Sequence, residues 1–287
     1  MATRKIVVGV DSSPSSVHAL RWACHHHRDG DEIVAVLAWE HPTLSLLPPP
    51  PGTASLPTGS KSDAANETLR RAVADATTGY NVLVTKITVQ GSAAHSVLEV
   101  AEDADLIVMG TRGAGMSKVL LGSVSRRVLH HAEIPVVVVP DEAPLDHGGV
   151  IAVAVDGSDH ATAALRWARE LAVDDIEVIH TWQPMRSYSP YIPPISDSEL
   201  ESIANETMDG VLKTALDGQS DERLRRSVLK GDPRTLLTDS DRDAGLMVMG
   251  SRGLTGLVGA LVGSVTDYVV THSSIAVAVI PAMESSG

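Results

Sequence analysis

Residues 106–125 read LIVMGTRGAGMSKVLLGSVS, and this stretch decides how the rest of the chain is interpreted. A short apolar run, Leu106–Met109, is typical of a buried strand. It ends at Gly110, and Gly113 follows three residues later. The loop continues to Gly122, after which apolar residues recur at helical spacing. The pattern predicts a strand, a glycine-rich loop and the first turn of a helix.

Such a loop is suited to an anion, and phosphate is the obvious candidate. Glycines let the backbone come close to a ligand, successive N–H groups form a concave nest, and a helix begins with unsatisfied donors. A tight strand-to-helix turn also needs glycines, so one copy leaves a structural turn and a phosphate loop both open. A second copy at 246–266, LMVMGSRGLTGLVGALVGSVT, repeats the arrangement at Gly250, Gly253 and Gly263 and favours the phosphate loop.

The duplication extends well beyond the loop. Residues 7–23, VVGVDSSPSSVHALRWA, return as 152–168, AVAVDGSDHATAALRWA. Likewise 134–140, IPVVVVP, returns as 275–281, IAVAVIP, with the copies about 140 residues apart. A repeat of this length indicates one domain duplicated in tandem.

The boundary between the copies is expected in the polar stretch DEAPLDHGG. We predict a first domain over 1–140, a linker over 141–149 and a second domain over 150–287. Strands alternate with helices in both halves, so the predicted class is α/β, with a mostly parallel sheet covered on both faces. In such sheets a ligand binds at the carboxyl ends of the strands, where the strand order reverses.

The prolines in Pro42–Ser60 and Gln183–Pro194 predict surface excursions, which are either partner or lid segments or plain loops. A helix is predicted from about Ser62 and another over Pro233–Asp241. The first helix of the chain is predicted from Pro14, with Ser12 or Ser13 as its cap.

Composition narrows the range of partners. The formal net charge of −13 argues against nucleic acid or an anionic membrane as the main partner. Cys24 is the single cysteine, so no intrachain disulfide is possible. The first apolar run is too short for a signal peptide, and no run of about eighteen apolar residues is available to span a bilayer. We therefore expect a cytoplasmic protein without a membrane span.

Several polar side chains accompany the loops. Asp11 and Asp156 each end the first strand of their half, where a carboxylate either accepts a hydrogen bond from a base or ribose or caps the next helix. Arg112 and Arg252 either pair with phosphate oxygens or lie on the surface. The hydroxyls near each helix start either cap the helix, bind phosphate, or do both; they belong to Ser123, Ser125, Ser264 and Thr266.

The sequence offers no evident catalytic residue. The pattern GxxxxGK[ST] of a P-loop NTPase is absent, so fast hydrolysis is not expected. No metal site is predicted either, because the consecutive residues His25–His27 point in different directions on a helix.

Three linked motifs, each present twice in the same order, resemble the universal stress protein family in its two-domain form. They are VxVDxS at the first strand, VMGxRG at the strand and loop, and LxGSV[ST] at the helix start. The resemblance covers the chain except its proline-rich excursions and termini. It implies flavodoxin-like or Rossmann-like domains with strand order 3-2-1-4-5, which pack through their last strands as a pseudo-dimer, and a homo-oligomer beyond that.

The same resemblance implies ATP binding, with or without Mg²⁺, little or no turnover, and regulation of a stress response through an unidentified protein partner. The residues expected on the adenine and ribose side are Val10, Asp11, Ala38 and Met109, with Val155, Asp156, Thr181 and Met249 in the second half. Those expected at the phosphates are Gly110, Arg112, Gly113, Gly122, Ser123, Val124 and Ser125, with Gly250, Arg252, Gly253, Gly263, Ser264, Val265 and Thr266 in the second half. The alternatives are a slow ATPase and a family member that binds no nucleotide and acts through protein contacts.

The two loops differ in length. The family pattern G-x2-G-x9-G-[ST] has nine residues between its second and third glycines, as found from Gly253 to Gly263, whereas Gly113 and Gly122 are separated by eight. The missing residue shortens the reach of the first loop by up to about 3.5 Å. We therefore hypothesise that the second half is the better nucleotide site.

Overall fold

Valine and isoleucine dominate the strands, because β-branched side chains fit a sheet that is buried on both faces. The structure is a computed structural model that describes residues 3–39, 58–111, 121–146, 149–171, 175–184, 195–239, 243–253 and 262–281. Arg112, Gly113 and most of the two proline-rich stretches lie outside the described residues, as do the loop segments 112–120 and 254–261. The chain divides into two compact units, Met1–Asp141 and Glu142–Gly287.

The first unit alternates strand and helix from end to end. Its elements are β1 (Lys5–Gly9), α1 (Pro14–His25), β2 (Glu32–Trp39), α2 (Thr58–Ala76), β3 (Val84–Gln90), α3 (Ala93–Val100), β4 (Leu106–Gly110), α4 (Ser123–His131) and β5 (Val136–Val139). The strands lie in the order β3-β2-β1-β4-β5, and every neighbouring pair is parallel.

The second unit repeats this order. Its elements are β6 (Ile151–Val155), α5 (Asp159–Leu171), β7 (Ile176–Trp182), α6 (Asp197–Leu216), β8 (Leu224–Lys230), α7 (Pro233–Leu237), β9 (Leu246–Gly250), α8 (Ser264–His272) and β10 (Ala276–Ile280). Its strands lie in the order β8-β7-β6-β9-β10, again all parallel. The predicted α/β class and the order 3-2-1-4-5 are confirmed in both units.

The topology places a crevice beside the first strand of each unit. The chain moves outward from β1 to β3 and then returns to β4 on the other side of β1. Right-handed crossovers therefore put α1 and α2 on one face and α3 and α4 on the other. In agreement, α1 contacts α2 and α3 contacts α4. The switch point lies between β1 and β4, and between β6 and β9 in the second unit.

Two predicted helix boundaries were wrong. Helix α2 begins at Thr58, inside the stretch predicted as irregular, because no proline follows Pro57 to prevent a helical first turn. Helix α7 ends at Leu237, four residues before the predicted end. There the Thr238 hydroxyl donates to the Arg234 carbonyl at 2.7 Å, and a polar run follows.

In the second unit, the buried side chain of Asp221 connects α5 with the segment before β8, at the end of the sheet away from the crevice. Asp221 accepts hydrogen bonds from Arg223 Nη2 at 2.7 Å and from Arg169 Nε, near the end of α5, at 3.1 Å. Its side chain is 8% exposed. The hydrogen bond from Arg223 outweighs the effect of burial, and with the bond from Arg169 it holds the pKa of the Asp221 carboxyl well below its usual range.

Among the described residues, none of the helices combines the length and apolar character needed to cross a bilayer.

Candidate functional site

In the first unit a cleft opens at the predicted switch point. It encloses a volume of about 390 Å³ at the carboxyl ends of β1, β2 and β4, and the first turns of α1, α3 and α4 close its sides. The lining residues are Gly9, Val10, Asp11, Ser16, Val36, Ala38, Ala93, Val97, Met109, Gly110, Gly122, Ser123, Val124 and Ser125. Every site residue predicted for the first half, apart from Arg112 and Gly113, which lie outside the described residues, therefore lines one cleft.

The start of α4 forms one wall of this cleft. Gly122 is the N-cap, and among the described residues no side chain caps the helix. The Gly122 N–H donates to the Thr111 carbonyl at 2.7 Å, and the Ser125 hydroxyl donates to the Gly110 carbonyl at 2.7 Å. Ser125 therefore ties the helix to the end of β4, while Ser123 is exposed at the cleft. The capping interpretation of these hydroxyls was wrong, because a glycine occupies the cap position.

The second unit has the same construction. Gly263 is the N-cap of α8, and its N–H donates to the Ser251 carbonyl at 2.7 Å. The Thr266 hydroxyl donates to the Gly250 carbonyl at 3.0 Å. Ser264 is exposed and Val265 half-buried, as their counterparts in the first unit are.

The first glycine of each loop is required by helix packing. A Cβ on Gly110 would lie 2.5 Å from Ser15 Oγ and 2.8 Å from the Ser15 carbonyl carbon. A Cβ on Gly250 would lie 2.7 Å from His160 Cβ and 2.8 Å from the His160 carbonyl carbon. The first turns of α1 and α5 thus sit directly on the strand ends. A phosphate is not needed to explain these two glycines.

The third glycine behaves differently. Gly263 has φ −70° and ψ 151°, an extended conformation that any residue adopts. Among the described residues, the atoms nearest to a Cβ placed there lie 3.7 Å away, at ordinary van der Waals distance. Neither backbone strain nor packing against these residues accounts for the absence of a side chain at Gly263.

A methionine covers the floor of the first cleft. A Cβ on Gly9 would lie 2.5 Å from Met109 Sδ, so the thioether rests directly over this glycine. In the second unit Ala154 takes the place of Gly9 and lies beside Met249 in the β6–β9 register. The alanine methyl excludes the position that Met109 occupies, so the floors of the two sites differ.

The two aspartates hold the residues that cap the following helices. Asp11 Oδ1 accepts hydrogen bonds from the Ser13 N–H at 3.0 Å and the Ser13 hydroxyl at 2.6 Å. Asp156 Oδ1 likewise accepts from the Ser158 N–H at 3.0 Å. Ser13 is the N-cap of α1, which decides between the two predicted serines. The aspartates themselves are not the caps.

Each carboxylate lies beside the glycine loop or the cleft. Asp11 is exposed and lines the first cleft. In the second unit, a Cβ on Gly253 would lie 2.3 Å from Asp156 Oδ2, so this carboxylate rests against the second glycine of the loop. Arg252, the residue before that glycine, is exposed.

The residue after each aspartate has a positive φ. Gly157 has φ 93°, and Ser12, its counterpart in the first unit, has φ 67°. This left-handed conformation turns the chain from the strand into the helix and costs little for glycine but more for serine. The first unit therefore carries local backbone strain beside its cleft.

Other predicted residues of the second unit lie at the ends of neighbouring strands. Val155 ends β6 and faces His180 of β7 in the parallel register. Thr181 is the next residue of β7 and is half-buried. Met249 lies in β9 on the other side of β6. These three residues share the carboxyl edge that in the first unit forms the cleft.

Sequence reasoning missed five residues that line the first cleft. Val36 could have been found, because strand periodicity puts it on the same face as Ala38. Ser16 lies one helical turn after the cap, where its hydroxyl accepts the Asp11 N–H at 3.2 Å. The others are Gly9, Ala93 and Val97, whose contribution depends on how the helices pack and has no sequence signal.

His160 was also missed. It takes the place of Ser15 in the second copy, and its Nδ1 lies 3.0 Å from Ser251 Oγ at the start of the glycine loop. Burial and the nearby Arg252 cation lower its pKa against the opposing charges of Asp156 and Asp159. The signal would have been a difference between otherwise matching copies.

Nearly the whole chain aligns in sequence with known proteins. The profile of the universal stress protein family matches residues 2–140 and 149–281. A universal stress protein of Mycolicibacterium smegmatis is 30% identical over 288 residues, which cover 96% of each chain. One of Mycobacterium tuberculosis is 29% identical over 277 residues, which cover 92% of each.

A solved structure shares the fold. The crystal structure of a universal stress protein from Archaeoglobus fulgidus aligns with a TM-score of 0.67 and covers 99% of this chain and 100% of its own. The two sequences are 19% identical, so this likeness concerns the fold alone.

Proposed function

Because the chain belongs to the universal stress protein family, we propose that it is an ATP-binding regulatory protein of a stress response, with little or no turnover. The nucleotide would lie at the glycine-rich loop after the fourth strand of each unit, which is β4 in the first and β9 in the second. The site residues would be those expected from the sequence, including Arg112 and Gly113.

The observation that carries this proposal is the start of α4 and of α8. Both helices begin at a glycine, which has no side chain of its own to cap the first-turn N–H groups, and the first turn of α4 lines an open cleft. Such a helix start supplies backbone donors and the positive end of a dipole, which suit phosphate. At Gly263 a close-lying phosphate would also explain the missing side chain.

The remainder of the first cleft fits a nucleoside. Its volume of about 390 Å³ falls within the range of small-molecule sites, about 300–1,000 Å³. Apolar surface from Val36, Val97 and Met109 suits a base, and the Asp11 carboxylate suits a ribose hydroxyl or an exocyclic amine. The open cleft is evidence against the alternative that this protein binds no nucleotide.

Slow turnover is proposed because the cleft offers little acid–base chemistry. Asp11 is the single ionisable side chain among its described lining residues. No group of three metal-ligating side chains occurs in the described part of the chain. Mg²⁺, if bound, would accompany the nucleotide phosphates.

The domain bounds, compartment and partners that we propose rest on the sequence. We place the functional domains at 1–140 and 150–287, joined by the linker 141–149. The protein would act in the cytoplasm as a homo-oligomer and signal to an unidentified protein partner.

The two sites are expected to differ in affinity. The longer loop of the second unit favours that site, as the sequence hypothesis states. Charge favours the first, because α4 carries Arg126 and Arg127 where α8 carries Asp267 and Tyr268. We propose that the difference in loop length outweighs this difference in charge.

Titration of ATP against the Gly122→Arg and Gly263→Arg variants tests both points. Each arginine would fill the phosphate position of one unit, and the larger loss of affinity is expected from Gly263→Arg. Equal losses would refute the ranking. Unchanged binding in both variants would refute the nucleotide sites themselves.

A further inference from the structure

The second unit carries a titratable side chain next to its glycine loop. His160 lies in the first turn of α5, and its backbone and Cβ press against Gly250 at the end of β9. Its Nδ1 is 3.0 Å from the hydroxyl of Ser251, the first residue after that strand. Ser251 is 7% exposed, so this hydrogen bond is shielded from bulk water.

Ser251 connects the imidazole to the helix start where the phosphates would lie. Its carbonyl accepts the Gly263 N–H at 2.7 Å, and its own N–H donates to the Ile280 carbonyl at 2.8 Å. His160 is therefore two hydrogen bonds away from the N-cap of α8. A charge bound at that cap would lie within about a Debye length of the imidazole.

The charged groups acting on His160 come from each segment around it. In the described part of the chain they are Arg252 from the glycine loop, Asp156 from the end of β6 and Asp159 from the start of α5. Burial and Arg252 lower the pKa of His160, which favours the neutral imidazole in the unliganded protein. A bound polyphosphate would add negative charge and engage Arg252, and both changes favour the imidazolium.

We propose that nucleotide binding at the second unit is coupled to the uptake of a proton by His160, an inference that rests on the function proposed above. By linkage, a protonated His160 strengthens nucleotide binding as much as the nucleotide strengthens proton binding. The second unit therefore binds nucleotide more tightly as the pH falls. The first unit lacks this response, because Ser15 occupies the corresponding position.

The test compares the full chain with its His160→Ser variant, which installs the residue of the first unit. Both are made in a Gly122→Arg background, so that titration reports on the second unit. The pKa of His160 is followed by NMR with and without ATP, and ATP affinity is measured at about pH 7.5 and about pH 5.5. Protonation of ATP itself affects both proteins equally and cancels in the comparison.

We expect ATP to raise the pKa of His160 by about one unit, the size of one added charge at moderate distance. The parent should then gain up to about tenfold in affinity over His160→Ser as the pH is lowered. A His160→Gln variant keeps a polar side chain without a titratable group and should match His160→Ser. This second variant separates the loss of a proton site from a folding defect.

The outcomes distinguish the two proposals. ATP binding with an unmoved His160 pKa, or with the same affinity ratio at both pH values, overturns the proton coupling and leaves the nucleotide site standing. Absence of ATP binding at the second unit in every protein overturns both.

Discussion

The substitution Gly250→Ala tests whether packing requires the first glycine of the loop. The added methyl would lie 2.7 Å from His160 Cβ and 2.8 Å from the His160 carbonyl carbon. Both atoms belong to the first turn of α5 and cannot rotate away, so the helix must shift from the strand. Overpacking of this kind costs about 1–3 kcal/mol, and contact with backbone places Gly250→Ala toward the upper end, at about 2–3 kcal/mol.

The matched control is Gly263→Ala, thirteen residues further along the same loop. Its backbone conformation suits alanine, and the nearest described atoms would lie 3.7 Å from the methyl. Alanine is a poorer N-cap than glycine, so we expect its free energy of unfolding to fall by about 0.5–1 kcal/mol, clearly less than for Gly250→Ala. Its ATP affinity should nevertheless fall, because the methyl would enter the space proposed for a phosphate.

Thermal unfolding followed by circular dichroism compares the three proteins without nucleotide. For a unit of this size, a loss of about 2–3 kcal/mol lowers the midpoint by about 4–12 °C. Gly250→Ala should show this shift in the transition of the second unit, and Gly263→Ala should show a clearly smaller one. Parent-like unfolding of Gly250→Ala, or an equal shift in both variants, would refute the division into a packing glycine and a ligand glycine.

Three further predictions concern strain, charge and reactivity. Replacing Ser12 by glycine, as at Gly157 in the second unit, should stabilise the first unit by about 0.5–1 kcal/mol in urea unfolding, and destabilisation would show that φ 67° carries no strain. Replacing Asp221 by asparagine should lower the free energy of unfolding by about 1–3 kcal/mol at pH 7. The loss should shrink progressively below about pH 4, because a carboxyl with a lowered pKa stabilises the fold only while it is ionised. A loss in urea titrations that does not change with pH would contradict this. Burial raises the pKa of the Cys24 thiol to about 11, so a thiol reagent at pH 8 should modify it only as fast as the protein opens, and immediate labelling of native protein would contradict its burial.

Much of the architecture could be predicted from the sequence. The tandem repeat, the alternation of strands and helices, and the position of the cleft followed from apolar periodicity and from the two glycine loops. The strand order was an implication of the family resemblance, since periodicity does not say which strands are neighbours. The boundary errors at Thr58 and Leu237 arose where polar runs permit either a helix or a loop.

The roles of individual loop residues were harder to predict. Gly110 and Gly122 look alike in the sequence, yet the first is held by contact with Ser15 and the second caps a helix at an open cleft. Which atoms surround a glycine depends on helix packing, and no local pattern records it. Asp11 and Asp156 were placed at the right edge, but their bonds to the capping serines required coordinates.

Differences between the two copies were the signal that sequence reasoning used least. At the left-handed turn after each aspartate, the first copy has Ser12 and the second has Gly157. At the floor of each site, the first copy has Gly9 and the second has Ala154. Each substitution stands beside a predicted site residue. Within a duplicated chain, such mismatches indicate where the two sites have diverged.

The most direct measurement is the nucleotide content of the protein itself. Freshly purified protein is denatured, and the released small molecules are identified and quantified by mass spectrometry against the protein concentration. The account predicts adenine nucleotide, with ATP prominent, at up to two molecules per chain, and less in the Gly263→Arg variant. Protein that releases no adenine nucleotide, and that shows no heat of binding with ATP at about millimolar concentration, would contradict the central claim.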